Sequence, residues 1–371
     1  MEPKSLIFFL NEIQDTRKAK GKRHIQLSTL IIIVIAMMCG KTSMKAIARF
    51  AKAHRNELAK YIPLPRQQTP SYSTIQRTNE RLNPNEVCDS FNRWMSQYPT
   101  SEPIAADGKS ITSTVIDPNT NEQKFTSLVS FFGQVTQLIY RVGFLENDKC
   151  SEIQVLQKMI SKMQITKTIF TMDALHCQKK TVQAVVDSGN DYVITVKKNQ
   201  PTLHKAIADK ADTKPIDSFS WEQKGHGHDS KCRIKIWEAD ENMKQKWKGL
   251  ECYISVRRQG IRDGKRFDTT TFYISSANLS AWRFAKVIRG HRKIENNLHW
   301  TKDVVQNEDS CGLVKPEAAV NMGVMRDISF NLLVMNGFKS ISDGISAMGE
   351  KVSNLWSIVS SGAKKLCSMF G

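Results

Sequence analysis

The spacing of apolar residues divides the chain near residue 100. Before that point they recur at every third or fourth position, the period of a helix with one buried side. Leu6 to Ile13 predicts a short helix, and the cationic loop Thr16 to His24 separates it from an apolar helix near Leu27 to Cys39. An amphipathic helix is predicted from about Ser43 to Tyr61, and the proline-punctuated run Ile62 to Pro70 is a loop. Ser71 or Ser73 can then cap a helix carrying Thr74, Gln76, Arg77 and Arg81. Two helices parted by a short break, the second rich in Arg and Gln, resemble a helix-turn-helix; a plain bundle is the equal alternative.

Beyond Pro103 the texture turns to β formers. Pro103 to Ile111 predicts a short strand ending in a turn, with Asp107 at the strand's end. Phe125 to Gly133 and Gln137 to Leu145 predict two strands joined by a tight link containing glycine. A helical stripe follows (Val155, Leu156, Met159, Ile160, Met163), then a strand within Lys167 to Leu175, a helix around Gln178 to Asp187 and the strand Asp191 to Val196. The order β-β-β-α-β-α-β predicts an α/β fold: a mixed sheet covered on both faces, in the order of the RNase H-like fold. Turn-rich β segments from about Phe219 to Ser276 predict a β insertion. Helix returns at Ser280 and continues past Trp300, and a last helix from Pro316 to Asn336 sets Val320, Val324, Ile328 and Leu332 on one stripe. The domains expected are 1–100 (helical, basic), 101–340 (catalytic core with the insertion at about 219–276) and 341–371 (a tail).

Charge sharpens this picture. The 371 residues hold 54 Lys and Arg against 36 Asp and Glu, a formal balance of +18, which points to a polyanionic partner such as nucleic acid. Leu30 to Cys39 is only about half as long as a membrane span, so a buried helix is expected and no membrane partner. The 8 cysteines are scattered singly with no CxxC pair, which fits free thiols in a reducing cytoplasm. Gly40-Lys41-Thr42 imitates the end of a P-loop, but the glycine needed five places earlier is Ile35, so no nucleotide cofactor is expected.

Three carboxylates occupy unusual places. Asp107 ends an apolar strand, and Asp173 lies among Phe170, Met172, Ala174 and Leu175. A carboxylate inside such a run is costly unless a cation or hydrogen bonds meet it. Glu295 falls on the stripe of Phe284, Val287, Ile288, His291, Ile294 and Leu298, and so is expected to point inward. Three hard oxygen donors from separate elements suit Mg²⁺ or Mn²⁺ and an in-line displacement at phosphorus. Lys109, Lys197, Lys198, His291, Arg292 and Lys302 are the basic neighbours expected to meet DNA.

At these residues the chain resembles the H-repeat-associated group of bacterial insertion-sequence transposases, a branch of the DDE class. Ala106 to Lys109 (ADGK) resembles the first-aspartate box, and Thr171 to Gln178 (TMDALHCQ) the second. Val196 to Gln200 (VKKNQ) resembles the strand end that follows, and Ile294 to Asp309 (IENNLHWTKDVVQNED) the third box. The likeness runs from roughly Leu6 to Asn336. It implies that Asp107, Asp173 and Glu295 bind the metal and catalyse DNA cleavage and strand transfer. It also implies that the N-terminal helices help bind element ends, with Gln76, Arg77 and Arg81 as contacts. Double-stranded DNA and a second copy of the chain are the partners expected, with the protein on the nucleoid. Lys302 keeps the lysine that related transposases carry seven residues after the glutamate, whereas His291 stands where they have arginine. The family's HGRxExR box appears as His226 to Cys232 (HGHDSKC), with His226 and His228 as its remaining DNA-facing candidates. The alternatives are a DNA-binding descendant without catalysis, or a nuclease on the same fold.

Overall fold

The computed structural model describes residues 3–18, 22–116, 124–146, 150–225, 228–262, 264–310 and 312–361. Three strands, β1 (Ile104–Ile116), β2 (Lys124–Gly133) and β3 (Ile139–Glu146), form an antiparallel meander. The helix α7 (Glu152–Ser161) leads to β4 (Ile169–Met172), and α8 (Lys179–Asp187) to β5 (Asp191–Val196); β1, β4 and β5 are parallel. The β-β-β-α-β-α-β order is therefore realised, as a mixed RNase H-like sheet.

The β insertion does not stand apart from that sheet. Its strands β6 (Asp217–Gly225), β7 (His228–Glu238), β8 (Cys252–Arg262) and β9 (Lys265–Ser275) form a meander whose last member pairs antiparallel with β5. One nine-stranded sheet results, in the order β3-β2-β1-β4-β5-β9-β8-β7-β6. In β8, Cys252 to Val256 are buried while Arg257 onward is largely exposed, so the outer half of the β8–β9 hairpin projects from the body.

Both faces of the sheet are covered. On one lie α7, α8, α9 (Pro201–Ala211) and α10 (Glu241–Lys246), which bury Leu156, Val182, Leu203, Ile207 and Met243. The helix α9 was not expected from the sequence, because its apolar period is short: only Leu203 and Ile207 are buried, and Pro201 starts it from the first turn. On the other face α11 (Ala281–Lys293) sets Phe284, Val287 and Ile288 against Ile234 and Ile254.

Beside α11, α12 (Pro316–Met335) packs among the N-terminal helices α1 (Leu6–Asn11), α2 (Gln26–Met38), α3 (Met44–Ala53), α4 (Arg55–Leu58), α5 (Tyr72–Asn79) and α6 (Pro84–Met95). Leu30 to Met38 are at most 3 % exposed, so α2 is a core helix. Among the described residues no helix is long and apolar enough to cross a membrane. The helix expected over Ser43 to Tyr61 is broken at His54, whose Nε2 pairs with Glu350 at 2.8 Å. Residues 341–361, expected as a tail, form α13 (Ile341–Met348) and α14 (Val352–Ser360), and Trp356 stacks on Tyr61. Because it is enclosed by these elements, α12 is buried on nearly every side rather than along one stripe. Its polar residues are paired inside; Asn331, for example, exchanges two hydrogen bonds with the Ile139 backbone at 2.9 and 2.8 Å.

A buried ionic network fastens the chain after α11 to this core. The Lys302 ammonium lies 2.6 Å from Asp327 of α12, with both side chains no more than 1 % exposed. Arg326 and Glu308, equally buried, stand 3.7 Å apart. Lys109 of β1 reaches Asp303 at 2.7 Å, Asp309 at 3.3 Å and Glu308 at 3.7 Å. Removing one partner of a buried pair strands a charge in a low-dielectric interior, at a cost of about 3–5 kcal/mol. Asp327→Asn is therefore expected to lower the urea midpoint sharply. Lys302→Met combined with Asp327→Leu is expected to recover most of the loss. An Asp327→Asn midpoint equal to that of the native chain would show that the pair does not hold this segment.

Candidate active site

Asp107 lies in the middle of β1, not at the strand's end. The strand runs on to Ile116 because β2 continues alongside it, with Asp107 opposite Ser130. Its other neighbour leaves early: β4 pairs with β1 only at Ile104 and Ala105. Asp107 therefore stands where the sheet opens. Asp173 caps the turn that ends β4, its Oδ1 accepting from the Leu175 N–H at 3.0 Å. Both aspartates thus come to the same end of two adjacent parallel strands.

A fourth acid, not singled out from the sequence, completes this corner. Glu152 is the first helical residue of α7, set there by a capping box between Ser151 and Gln154. Its carboxylate lies over Gly108, so close that a Cβ there would have to displace it. The Nε2 of His176, a fully buried ring, lies 3.0 Å from Glu152 Oε1. The signal available in the sequence was an acid immediately after a helix-capping serine, a pattern that ordinary helix starts share. Burial, then the charges of Glu152 and Asp173, push the Asp107 carboxyl up to about 7.

Glu295 departs from the expectation. It is exposed, and Ile294 and Leu298 take the inward positions. From Ile294 the helix widens into π turns (Ile294–His299, then Thr301–Val305), which rotate residues away from the α-helical register on which the stripe was drawn. Its charge still reaches the site. Burial holds the pKa of His291 below the usual imidazole range, while Glu295 and Asp173 pull it the other way. His291 Nδ1 lies 2.9 Å from the Thr171 hydroxyl, two residues before Asp173. On the facing side, His299 Nδ1 stands 3.8 Å from Asp107 Oδ2. Burial, followed by Lys302 and Lys109, pushes His299 down to about 3. Both imidazoles are held neutral.

The other candidates divide. Lys109 and Lys302 turn inward to the ionic network, so their ammonium groups meet protein carboxylates rather than a surface. Lys197 and Lys198 are exposed just past β5. Asn199 and Gln200 tether that end to the turn after Asp173, donating to the Ala174 and Cys177 carbonyls at 2.7 and 2.8 Å. Arg292 is exposed on α11 and lines a separate cleft. Gln76 donates to Glu80 at 2.9 Å, while Arg77 and Arg81 line a basic recess of about 880 Å³ with Arg17, Arg23 and Arg66. His226 and the side chain of His228 lie outside the described residues. Among the described residues, no three His, Cys, Asp or Glu side chains are grouped so as to hold a metal ion.

Comparison with known proteins follows the same division of the chain. The family described as Transposase DDE domain matches residues 99–332, and the one described as DDE_Tnp_1-associated matches residues 7–95. Protein YbfL of Escherichia coli K12 is 31% identical over 349 residues, covering 90% of this chain and 91% of its own. The H repeat-associated YhhI of the same organism is 30% identical over 349 residues, with the same coverage. Among solved structures, a piggyBac transposase synaptic complex with hairpin DNA aligns with a TM-score of 0.48 and 11% identity, over 97% of this chain and 77% of that one. With its matched domain laid over the strands that carry Asp107 and Asp173 and the helix that carries Glu295, this chain belongs to the DDE transposase family.

Proposed function

We propose that the chain cleaves DNA strands and joins them to new sites, using Asp107, Asp173 and Glu295 with Mg²⁺ or Mn²⁺. One observation carries the reading: a cluster of acids whose charge the protein itself leaves unneutralised. Asp107 faces Glu152 and Asp173, and burial, followed by their charges, raises its pKa. His291 and His299 are held neutral by burial, and His176 lies 3.0 Å from Glu152. Lys109, two residues from Asp107, is engaged by Asp303, Glu308 and Asp309. A divalent cation relieves such repulsion, and carboxylate oxygens are the donors that Mg²⁺ and Mn²⁺ take. The donor set therefore fits the ion chemically, with Asp107 and Asp173 as its first holders and Glu295 as the third.

When bound, the metal supplies positive charge where negative charge grows on the reacting phosphate. The chain's own residues do the rest. Thr171 and its hydrogen-bonded partner His291 fix the direction of α11 at the acids. Asn199 and Gln200 hold Lys197 and Lys198 on the rim beside Asp173, where they would meet phosphates. Double-stranded DNA is the substrate and a second copy of the chain the expected partner on it. Arg77 and Arg81, in their basic recess, are the proposed contacts to element ends.

Replacing Asp107, Asp173 or Glu295 by Ala is expected to abolish Mn²⁺-dependent cleavage of element-end duplex while leaving duplex binding in EDTA intact. A single variant that cleaves at the native rate would remove that residue from the triad.

The Asp107 carboxyl also makes a stability test. Its pKa rises from 3.8 to about 7 on folding, so folding favours the protonated form. That contribution is complete below about pH 4 and is lost as pH rises towards about 7. In EDTA, the melting temperature of the native chain is expected to fall across this interval more steeply than that of Asp107→Asn. Mn²⁺ at pH 8 should raise it for the native chain and much less for the variant. Superimposable profiles for the two proteins would mean that Asp107 feels no such repulsion.

A further inference from the structure

The helix α11 has a second face. Arg283, Lys286, Arg289 and Arg292 follow one another at every third position and are all exposed, and residues 281–293 contain no acid. Like charges three residues apart on a helix repel. A merely solvated face ordinarily interleaves acids to relieve this, and the chain has 36 of them against 54 basic residues. Here none is used.

The wall facing this stripe carries Arg258 and no acid. α11 and the insertion strands β6 and β8 enclose a cleft of about 680 Å³, to which Arg258 and Lys293 add their charges and no lining residue is acidic. Trp221 of β6 forms part of the wall. The Arg289 guanidinium lies 5.9 Å from its ring, and its buried indole N–H has no acceptor among the described residues. Six cations, a concave wall and an unanswered donor share one requirement, an anion with several oxygens spread along a line.

This cleft is distinct from the acid cluster. It borders Pro103, just before β1, and Ile169, the first residue of β4, whereas Asp107 and Asp173 each lie four residues further along the chain. The two are joined through one chain of hydrogen bonds. Gln134, on the cleft wall, donates to the Thr171 hydroxyl at 2.9 Å, and that hydroxyl meets His291.

We infer that this cleft is a second DNA site, which holds the phosphodiester backbone of the duplex at a distance from the reacting phosphate. The inference rests on the proposed action on DNA. It assigns the β insertion a role: β6 and β8 form the wall that turns an exposed basic helix into a groove. Four side chains spaced by three residues span roughly 13 Å of helix, enough to follow two or three successive phosphates.

The test uses the full chain in EDTA and a fluorescein-labelled 40-base-pair duplex of random sequence, with anisotropy read across a potassium chloride series. The variant Arg283→Gln/Lys286→Gln/Arg289→Gln removes three charges from the cleft. The control Lys205→Gln/Lys214→Gln/Lys246→Gln removes three exposed charges on or beside α9 and α10, on the opposite face of the sheet. Each phosphate that is no longer neutralised should reduce the slope of log affinity against log salt by about 0.9, so the cleft variant's slope should drop by between about 2 and 3 while the control keeps the native slope. Affinity of the cleft variant at moderate salt should fall tenfold or more. Equal reductions for the two variants would show that only net charge matters, and would overturn the site. Should the triple variant melt early, Arg283→Gln and Lys286→Gln taken singly carry the same test, at about 0.9 each. Native protein that binds this duplex but never cleaves element-end duplex with Mn²⁺ would strike the proposed reaction and leave the cleft standing. Unchanged slopes with intact cleavage would strike the cleft alone.

Discussion

The Lys109 ammonium, closed in by Asp303, Asp309 and Glu308, decides how the two halves of the site meet. Lys109 follows Asp107 by two residues on a rigid central strand. Its three partners lie 8 to 14 residues after Glu295, on a chain that would otherwise be free to slide along the sheet. Beneath it, Lys302 to Asp327 and Arg326 to Glu308 anchor the same stretch to α12. Buried pairs of this kind add little net stability compared with apolar packing, because desolvation offsets the attraction. They discriminate, because a shift of one residue leaves several charges unpaired at once. The network therefore selects a single placement of the Glu295 segment against Asp107 and Asp173.

The same network explains where the sequence was misleading. Each box carries an acid and a basic residue, and from sequence alone the lysines look like DNA contacts, the usual fate of exposed cations beside a phosphate site. Lys109 and Lys302 instead find their partners across 200 and 25 residues of chain, and no local period encodes such pairings. Glu295 was misplaced for a related reason. A helical stripe assumes 3.6 residues per turn, and the π turns from Ile294 onward depart from it. Glu152 hid in an ordinary helix start.

What was legible came from strong periods and from punctuation. The meander, α7, β4, α8 and β5 each had an apolar pattern bounded by a turn or a cap, and each formed within a few residues of its expected place. The place of Asp173 just past β4 could be read because an acid that follows an apolar strand run ordinarily ends it, here by capping the turn. The joining of β9 to β5 could not be read, since strand order depends on which edges remain open once the rest of the sheet has formed. That joining matters to the site. It brings β6 and β8 beside α11, so that a helix carrying Glu295 just past its end also carries a basic groove along its side.

For the proposed metal-dependent action on DNA, this arrangement would resolve a conflict. Asp107, Asp173, Glu152 and Glu295 form a negative island in a chain of net charge +18. Without a cation, the island repels the phosphate it is meant to attack. The attraction that brings a duplex close must come from elsewhere on the surface and must not depend on the acids. Exposed cations stand on the island's rim at Lys197 and Lys198, in the recess of Arg77 and Arg81, and along α11. The lysines nearest the acids are turned inward and neutralised by protein carboxylates. Placing them there keeps them from cancelling the island's charge, so its demand for a divalent cation remains. The proposed binding and the proposed chemistry would then fall to different groups, while the buried network around Lys109 holds the Glu295 segment against β1.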